Sequence, residues 1–207
     1  MLYKHTIDST CKPMNTQLKL SLASALLALA LSPAHADTLL SAGVQHADIG
    51  GHSLNQIGLA ADGMTGSVSY GFDFADGNHN GFNARSYDLS AGYALPIDPS
   101  TGLRVSPSVL VGRETVDGYS ADRAAVGLNA AYVFKDHVQL GGLLYAGRTF
   151  RASQGIDAGE YTKAGLSVGY PVGPGEVLAH YTWSRQPASG ASHLISSGVG
   201  VDYAMAF

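Results

Sequence analysis

From Ile195 to Phe207 the chain alternates. Ile195, Val199, Val201, Tyr203, Met205 and Phe207 are apolar, with only Ser197 breaking the series, while Ser196, Gly198, Gly200, Asp202, Ala204 and Ala206 are small or polar. A period of two puts the large apolar side chains on one face of a β-strand. The pattern recurs upstream. Val68, Tyr70, Phe72 and Phe74 alternate with Ser67, Ser69, Gly71 and Asp73; Tyr87, Leu89, Ala91, Tyr93 and Leu95 alternate with Ser86, Asp88, Ser90, Gly92 and Ala94. Ala164, Leu166, Val168 and Tyr170 repeat it, as do Val177, Ala179, Tyr181 and Trp183. Dispersal by alternation leaves no apolar run near the roughly 20 residues of a membrane-spanning helix.

The N-terminal region reads as an export leader. Lys19 precedes an apolar run from Leu20 to Leu31, interrupted by Ser21 and Ser24, and Ala34-His35-Ala36 follows. A basic start, a short apolar core and an Ala-x-Ala site predict a signal peptide over residues 1–36, cleaved after Ala36, with Met14 as an alternative start. The mature chain, 37–207, is then a single domain. Cys11 falls in the leader, so the mature chain holds no cysteine for a disulfide, a nucleophile or a metal. Only 14% of residues are charged, against roughly 25% in ordinary soluble domains. The formal charge is −4, and the leader carries three of the lysines (Lys4, Lys12 and Lys19), so the mature chain is more acidic still. That argues against a nucleic-acid partner.

Ten strands are expected, near 38–47, 53–61, 67–74, 86–95, 103–112, 123–134, 138–150, 163–170, 177–184 and 195–207. Pro107 suggests a bulge in the fifth, and the seventh is mixed in pattern. Connections at 62–66, 96–101, 135–137 and 173–175 read as short turns. Those at 75–84, 115–122, 151–160 and 186–193 read as longer polar loops, and only 48–52 is short on that side.

Signal peptide, alternating strands and a closing strand ending on Phe207 together resemble the small outer-membrane β-barrels of Gram-negative bacteria. The resemblance implies an all-β, antiparallel up-and-down transmembrane barrel, of ten strands or, alternatively, eight. It implies short periplasmic turns, longer outer loops and both termini in the periplasm. It also implies contact with outer-membrane lipid and lipopolysaccharide, and a last strand that engages the barrel assembly machinery. Closure follows from physics, because in lipid every backbone polar group must pair within the protein. Tyr93, Tyr132, Phe134, Tyr170, Tyr203 and Phe207 are expected as a periplasmic aromatic ring, and Tyr181 and Trp183, with Phe72, Phe74 and Tyr87, near the outer boundary. A soluble sandwich or lipocalin-like barrel alternates too, but its outer positions carry Lys and Glu; here the non-apolar set is Ser, Gly, Ala and Asn.

The candidate chemistry lies inside. Asp73, Asp88, Arg104, Glu114, Arg123, Lys163 and Asp202 are predicted to face the lumen, with Arg113 and Arg148 as additions. Opposite charges in a narrow barrel form a filling network, or else line a path for small solutes or ions. His180 and Thr182 resemble the His-x-Ser element of outer-membrane lipid A deacylases. Thr182 stands where that family has Ser, however, and alternation turns both residues inward. The other histidines are scattered, so no metal site or cofactor is expected. Asp76 to Gly81 resembles a calcium loop but lacks its terminal Glu. The reading is a non-enzymatic barrel with a structural or surface-interaction role and a narrow pore at most; a small-solute channel is the alternative.

Overall fold

The computed structural model describes residues 38–150, 153, 157–188 and 192–207; the leader expected over 1–36 lies outside them. Among the described residues ten strands occur: β1 Thr38–Ile49, β2 His52–Thr65, β3 Val68–His79, β4 Phe82–Tyr93, β5 Leu103–Val116, β6 Tyr119–Val133, β7 Gln139–Phe150, β8 Gly159–Val172, β9 Gly175–Ala188 and β10 Ser192–Ala206. Each pairs antiparallel with its sequence neighbours, and β1 pairs with β10, from Leu39↔Ala206 to Ile49↔Ser196, closing the barrel. The eight-strand alternative is thereby excluded. Thr38 and Phe207 lie at one end, here the lower, where the Phe207 N–H donates to the Thr38 carbonyl at 2.9 Å.

The two faces are inverted relative to a soluble protein. Outward positions are large, apolar and exposed: Val126 (66%), Leu166 (64%), Val44 and Ile57 (63% each). Inward positions hold buried charge, with Asp88, Arg123 and Glu114 all at 5% or less. Water would penalise such an outer face and lipid rewards it. On β8 the apolar stripe runs from Ala164 to Val172, about eight steps, or roughly 20 Å after strand tilt. Tyr93, Tyr132, Phe134, Tyr170, Tyr203 and Phe207 all stand exposed at its lower edge. Phe74, Tyr87 and Trp183 end it above, while Tyr181 sits two residues inside the band.

The upper ends differ from expectation. Of the expected loops 75–84 and 115–122, the segments 75–79, 82–84, 115–116 and 119–122 are strand, and three of the upper hairpins turn in two residues. Gly50-Gly51, Asn80-Gly81 and Asp117-Gly118 all have positive φ at both positions (60° and 85°, 51° and 87°, 47° and 84°). That geometry suits a tight hairpin, and Gly, Asn and Asp tolerate it best. The longest fully described connection is at the lower end, 94–102, where Asp98 accepts the Ser100 N–H at 2.9 Å. That backbone hydrogen bond holds the Asp98 carboxyl below its usual range. The Asp62-Gly63 turn is also displaced: β2 continues to Thr65 and Gly66 makes the reversal. Pro107 causes no bulge. The β5–β6 register runs through Pro107↔Leu128, and the β4–β5 ladder stops at Gly92↔Ser108, so its missing N–H interrupts nothing.

Outward residues above the band turn polar and pair across strands. Arg85 meets Asp76 at 2.6 Å, Arg113 meets Asp122 at 3.6 Å, and Arg185 contacts His193 at 2.8 Å. Arg113 and Arg148 are therefore outward and exposed, correcting their expected lumenal place. The strands rise beyond the apolar band, and the alternation continues with polar side chains outside.

Candidate functional site in the barrel lumen

The upper lumen is stoppered by apolar side chains. Ala47, Ile49, Leu54, Ala84 and Val116 are buried together, and Phe82 and Leu194 pack on them. On the far wall Leu110, Ala125, Tyr145 and Tyr161 form a second cluster with Leu143. This explains the mixed pattern of β7: Leu143 and Tyr145 are inward core residues, and the Ser108 hydroxyl donates to the Tyr145 hydroxyl at 2.9 Å.

Beside these clusters lies an ion network. Arg123 on β6 donates from Nε to Asp88 on β4 at 2.8 Å and from Nη1 to Glu114 on β5 at 3.0 Å. Lys163 on β8 donates to the other Asp88 oxygen at 2.8 Å, and Gln186 on β9 donates to Glu114 at 3.0 Å. The Arg123 guanidinium also lies 5.1 Å from the centroid of the Tyr161 ring. Two cations, two carboxylates and an amide thus cross-link five strands across the lumen. Partners this close offset the desolvation of burying the charges.

A second group joins β9 to β2. His180 Nδ1 faces Asp202 at 3.2 Å, and its Nε2 faces Gln45 Oε1 at 3.4 Å. Gln45 Nε2 in turn donates to Gln56 at 2.6 Å. A cavity of about 480 Å³ remains, lined among others by Asp62, Asp73, Asn129, Lys163, His180 and Asp202.

Of the residues expected in one lumenal network, the structure joins four: Asp88, Glu114, Arg123 and Lys163. Asp202 belongs to the His180 group. Asp73 faces the cavity beside its register partner Asp88, without an ion pair among the described residues. Arg104 is exposed at the lower end of β5 and makes none either. His180 and Thr182 both line the lumen, away from lipid. Thr182 donates no hydrogen bond to His180 among the described residues, so a hydroxyl nucleophile beside its base is not formed. Among those residues no group of three or more His, Cys, Asp or Glu is placed to hold a metal.

Sequence reasoning passed over Gln45, Gln56, Asp62, Tyr161 and Gln186. For Gln45, Gln56 and Asp62 a signal existed, since they share the inward parity of their strands. Glycines make room for the carboxylates: a Cβ at Gly112 would overlap both the Asp88 carboxylate and the Tyr87 carbonyl oxygen. Gly112→Ala is expected to cost on the order of 1–3 kcal/mol by overpacking, measured as a lower midpoint of denaturant unfolding; an unchanged midpoint would show that Asp88 can move freely.

A family model described as Gram-negative porin matches residues 42–206. Among solved structures, the outer-membrane protease OmpT from Escherichia coli aligns with a TM-score of 0.51 at 13% identity, covering 85% of this chain and 98% of that one. Neisserial surface protein A aligns with a TM-score of 0.45 at 15% identity, covering 82% of this chain and 97% of that one. At such identities the likeness to OmpT is one of fold. No curated protein matches the sequence.

Proposed function

The chain belongs to the Gram-negative porin family, and from that premise we propose that this outer-membrane barrel is non-enzymatic, with a closed lumen and a structural or surface-contact role. The observation that carries this reading is the filled upper lumen: the stopper of Ala47, Ile49, Leu54, Ala84 and Val116. A barrel of this width has room for side chains and little more, and an apolar constriction repels ions by dewetting. In this reading the leader over 1–36 directs export, the lower end faces the periplasm and the upper hairpins face outward. The aromatic edges rest in lipid and lipopolysaccharide, and β10 is the strand offered to the assembly machinery.

The second reading is a narrow channel for small solutes. The cavity of about 480 Å³ favours it, because polar space continues beneath the stopper. Planar-bilayer recording separates the two. The wild-type protein is expected to give no conductance steps, and Leu54→Gly with Ile49→Gly is expected to introduce them. Sustained steps from the wild type would overturn the closed-lumen reading in favour of the channel.

A further inference from the structure

The outward charges above the apolar band are unevenly placed. On β3 to β6 each outward arginine meets an acid, Arg85 with Asp76 and Arg113 with Asp122. On β1 and β2 the outward residues at this height are His46, paired with Asn55, and Asp48, paired with Ser53, with no Lys or Arg among them. On β7 and β9 the balance differs. Arg148 is exposed and makes no ion pair among the described residues. Arg185 is exposed too, and donates to His193 Nε2 at 2.8 Å. A guanidinium has no acceptor, so that ring nitrogen accepts and cancels none of the charge. One carboxylate stands near, Glu160, opposite Arg148 on β8. Two guanidiniums against one carboxylate leave this flank cationic in a chain of formal charge −4.

The two arginines bracket β8. Arg148 is the register partner of Glu160 and Arg185 of Thr162, which puts their Cα atoms about 12 Å apart. Just below them the outward side chains are small: Ala146 pairs with Thr162, and Ala164 with Trp183. Trp183 bounds this shallow seat on β9, at the upper edge of the band. Leu144, Leu166 and Tyr181 continue it downward as exposed apolar surface. Cations above, an interfacial aromatic at the edge and an apolar wall beneath follow the order of groups in a phosphorylated lipid, with the anionic headgroup outermost and the acyl chains below. Arginine suits phosphate because its planar fork donates two parallel N–H bonds to two oxygens.

We propose that the outer face of β7–β9 is a docking site for lipopolysaccharide, with Arg148 and Arg185 on a headgroup phosphate and Trp183 where sugar meets acyl chain. The proposal rests on the reading that the upper end faces outward. Trp183 is the single tryptophan, so its emission reports the site directly. The folded full chain in zwitterionic detergent is titrated with lipopolysaccharide. A saturable change in emission is expected, weakened at least tenfold in Arg148→Gln/Arg185→Gln and unchanged in Arg85→Gln, across the barrel on β4. All three substitutions are on the exposed surface, so both variants are expected to keep the heat-modifiable gel mobility of a folded barrel. Dephosphorylated lipopolysaccharide is expected to bind the wild type no better than the intact lipid binds the double variant. No saturable change, undiminished binding by the double variant, equal weakening in Arg85→Gln, or equal binding of the dephosphorylated lipid would each overturn the site. Displacement by inorganic phosphate at matched ionic strength would mark a free-anion site and overturn the lipid as its occupant. Orientation is read separately. Tyr119→Cys, at the exposed upper tip of β6, is expected to react with a membrane-impermeant maleimide on intact cells, with the wild type as blank. No reaction would remove the site from the outer leaflet whatever the titration gives, whereas labelling with a failed titration would overturn the site and leave the orientation standing.

Discussion

Arg123→Ala is expected to lower the unfolding free energy by about 3–5 kcal/mol, the range for removing one partner of a buried ion pair. Arg123 is 4% exposed and is the only cation bonded to Glu114 among the described residues. Asp88 would keep Lys163, but Glu114 would keep only the amide of Gln186. The cost therefore falls on Glu114, and Arg123→Ala combined with Glu114→Gln is expected to recover part of it. Arg113→Ala is the control. Its pair with Asp122 is longer, at 3.6 Å, and its side chain is 43% exposed, so its loss is expected to cost about 0–1 kcal/mol. Denaturant unfolding in lipid vesicles, followed by the fluorescence of the single Trp183, gives both values. Equal effects at Arg123 and Arg113 would mean that the lumenal network does not clamp the barrel.

This contrast also marks what could be read from the residues alone. Parity assigns a face, so Asp88, Glu114, Arg123 and Lys163 were legible as inward. It does not assign partners. Asp88 and Lys163 are 75 residues apart and meet only because closure brings β4 opposite β8. Nor does parity assign height. The polar stretches at 75–84 and 115–122 resembled loops because outward positions above an apolar band have no reason to be apolar; the ladder continues there regardless. Height also separates Arg113 and Arg148 from the lumen: a charge on a strand suggests the lumenal face, but at these positions the strands have risen past the apolar band and the charges face outward. Asp62 was hidden by Gly63, since Asp-Gly is a strong turn signal, and here the chain turns only at Gly66. On β7, alternation failed because both faces carry apolar residues, Leu140 and Leu144 outward, Leu143 and Tyr145 inward.

An outer face set in lipid makes an outward charge costly. Leu128, on the outward face of β6, is 46% exposed and pairs with Pro107 and Leu144, near the middle of the apolar band. If that face met water, Leu128→Arg would change stability by no more than about 0.5 kcal/mol, as exposed surface substitutions do. In lipid the guanidinium must be dragged from water toward the bilayer midplane, and the expected loss is about 2–4 kcal/mol. Depth supplies the second half of the test. The same substitution at Ser120, which is outward on β6 but above the band and hydrogen-bonded to Arg113, is expected to cost well under half as much, because a charge near the interface stays hydrated. Both variants are read by reversible unfolding in vesicles, with the unfolded chain in solution as a common reference. A small effect at Leu128, or equal effects at the two positions, would place the outer face of β6 in water and remove the physical basis for a transmembrane barrel. Losing the Arg113 contact and placing a like charge beside it can only raise the cost at Ser120, so a steeper loss at Leu128 reports the change of solvent between the two positions.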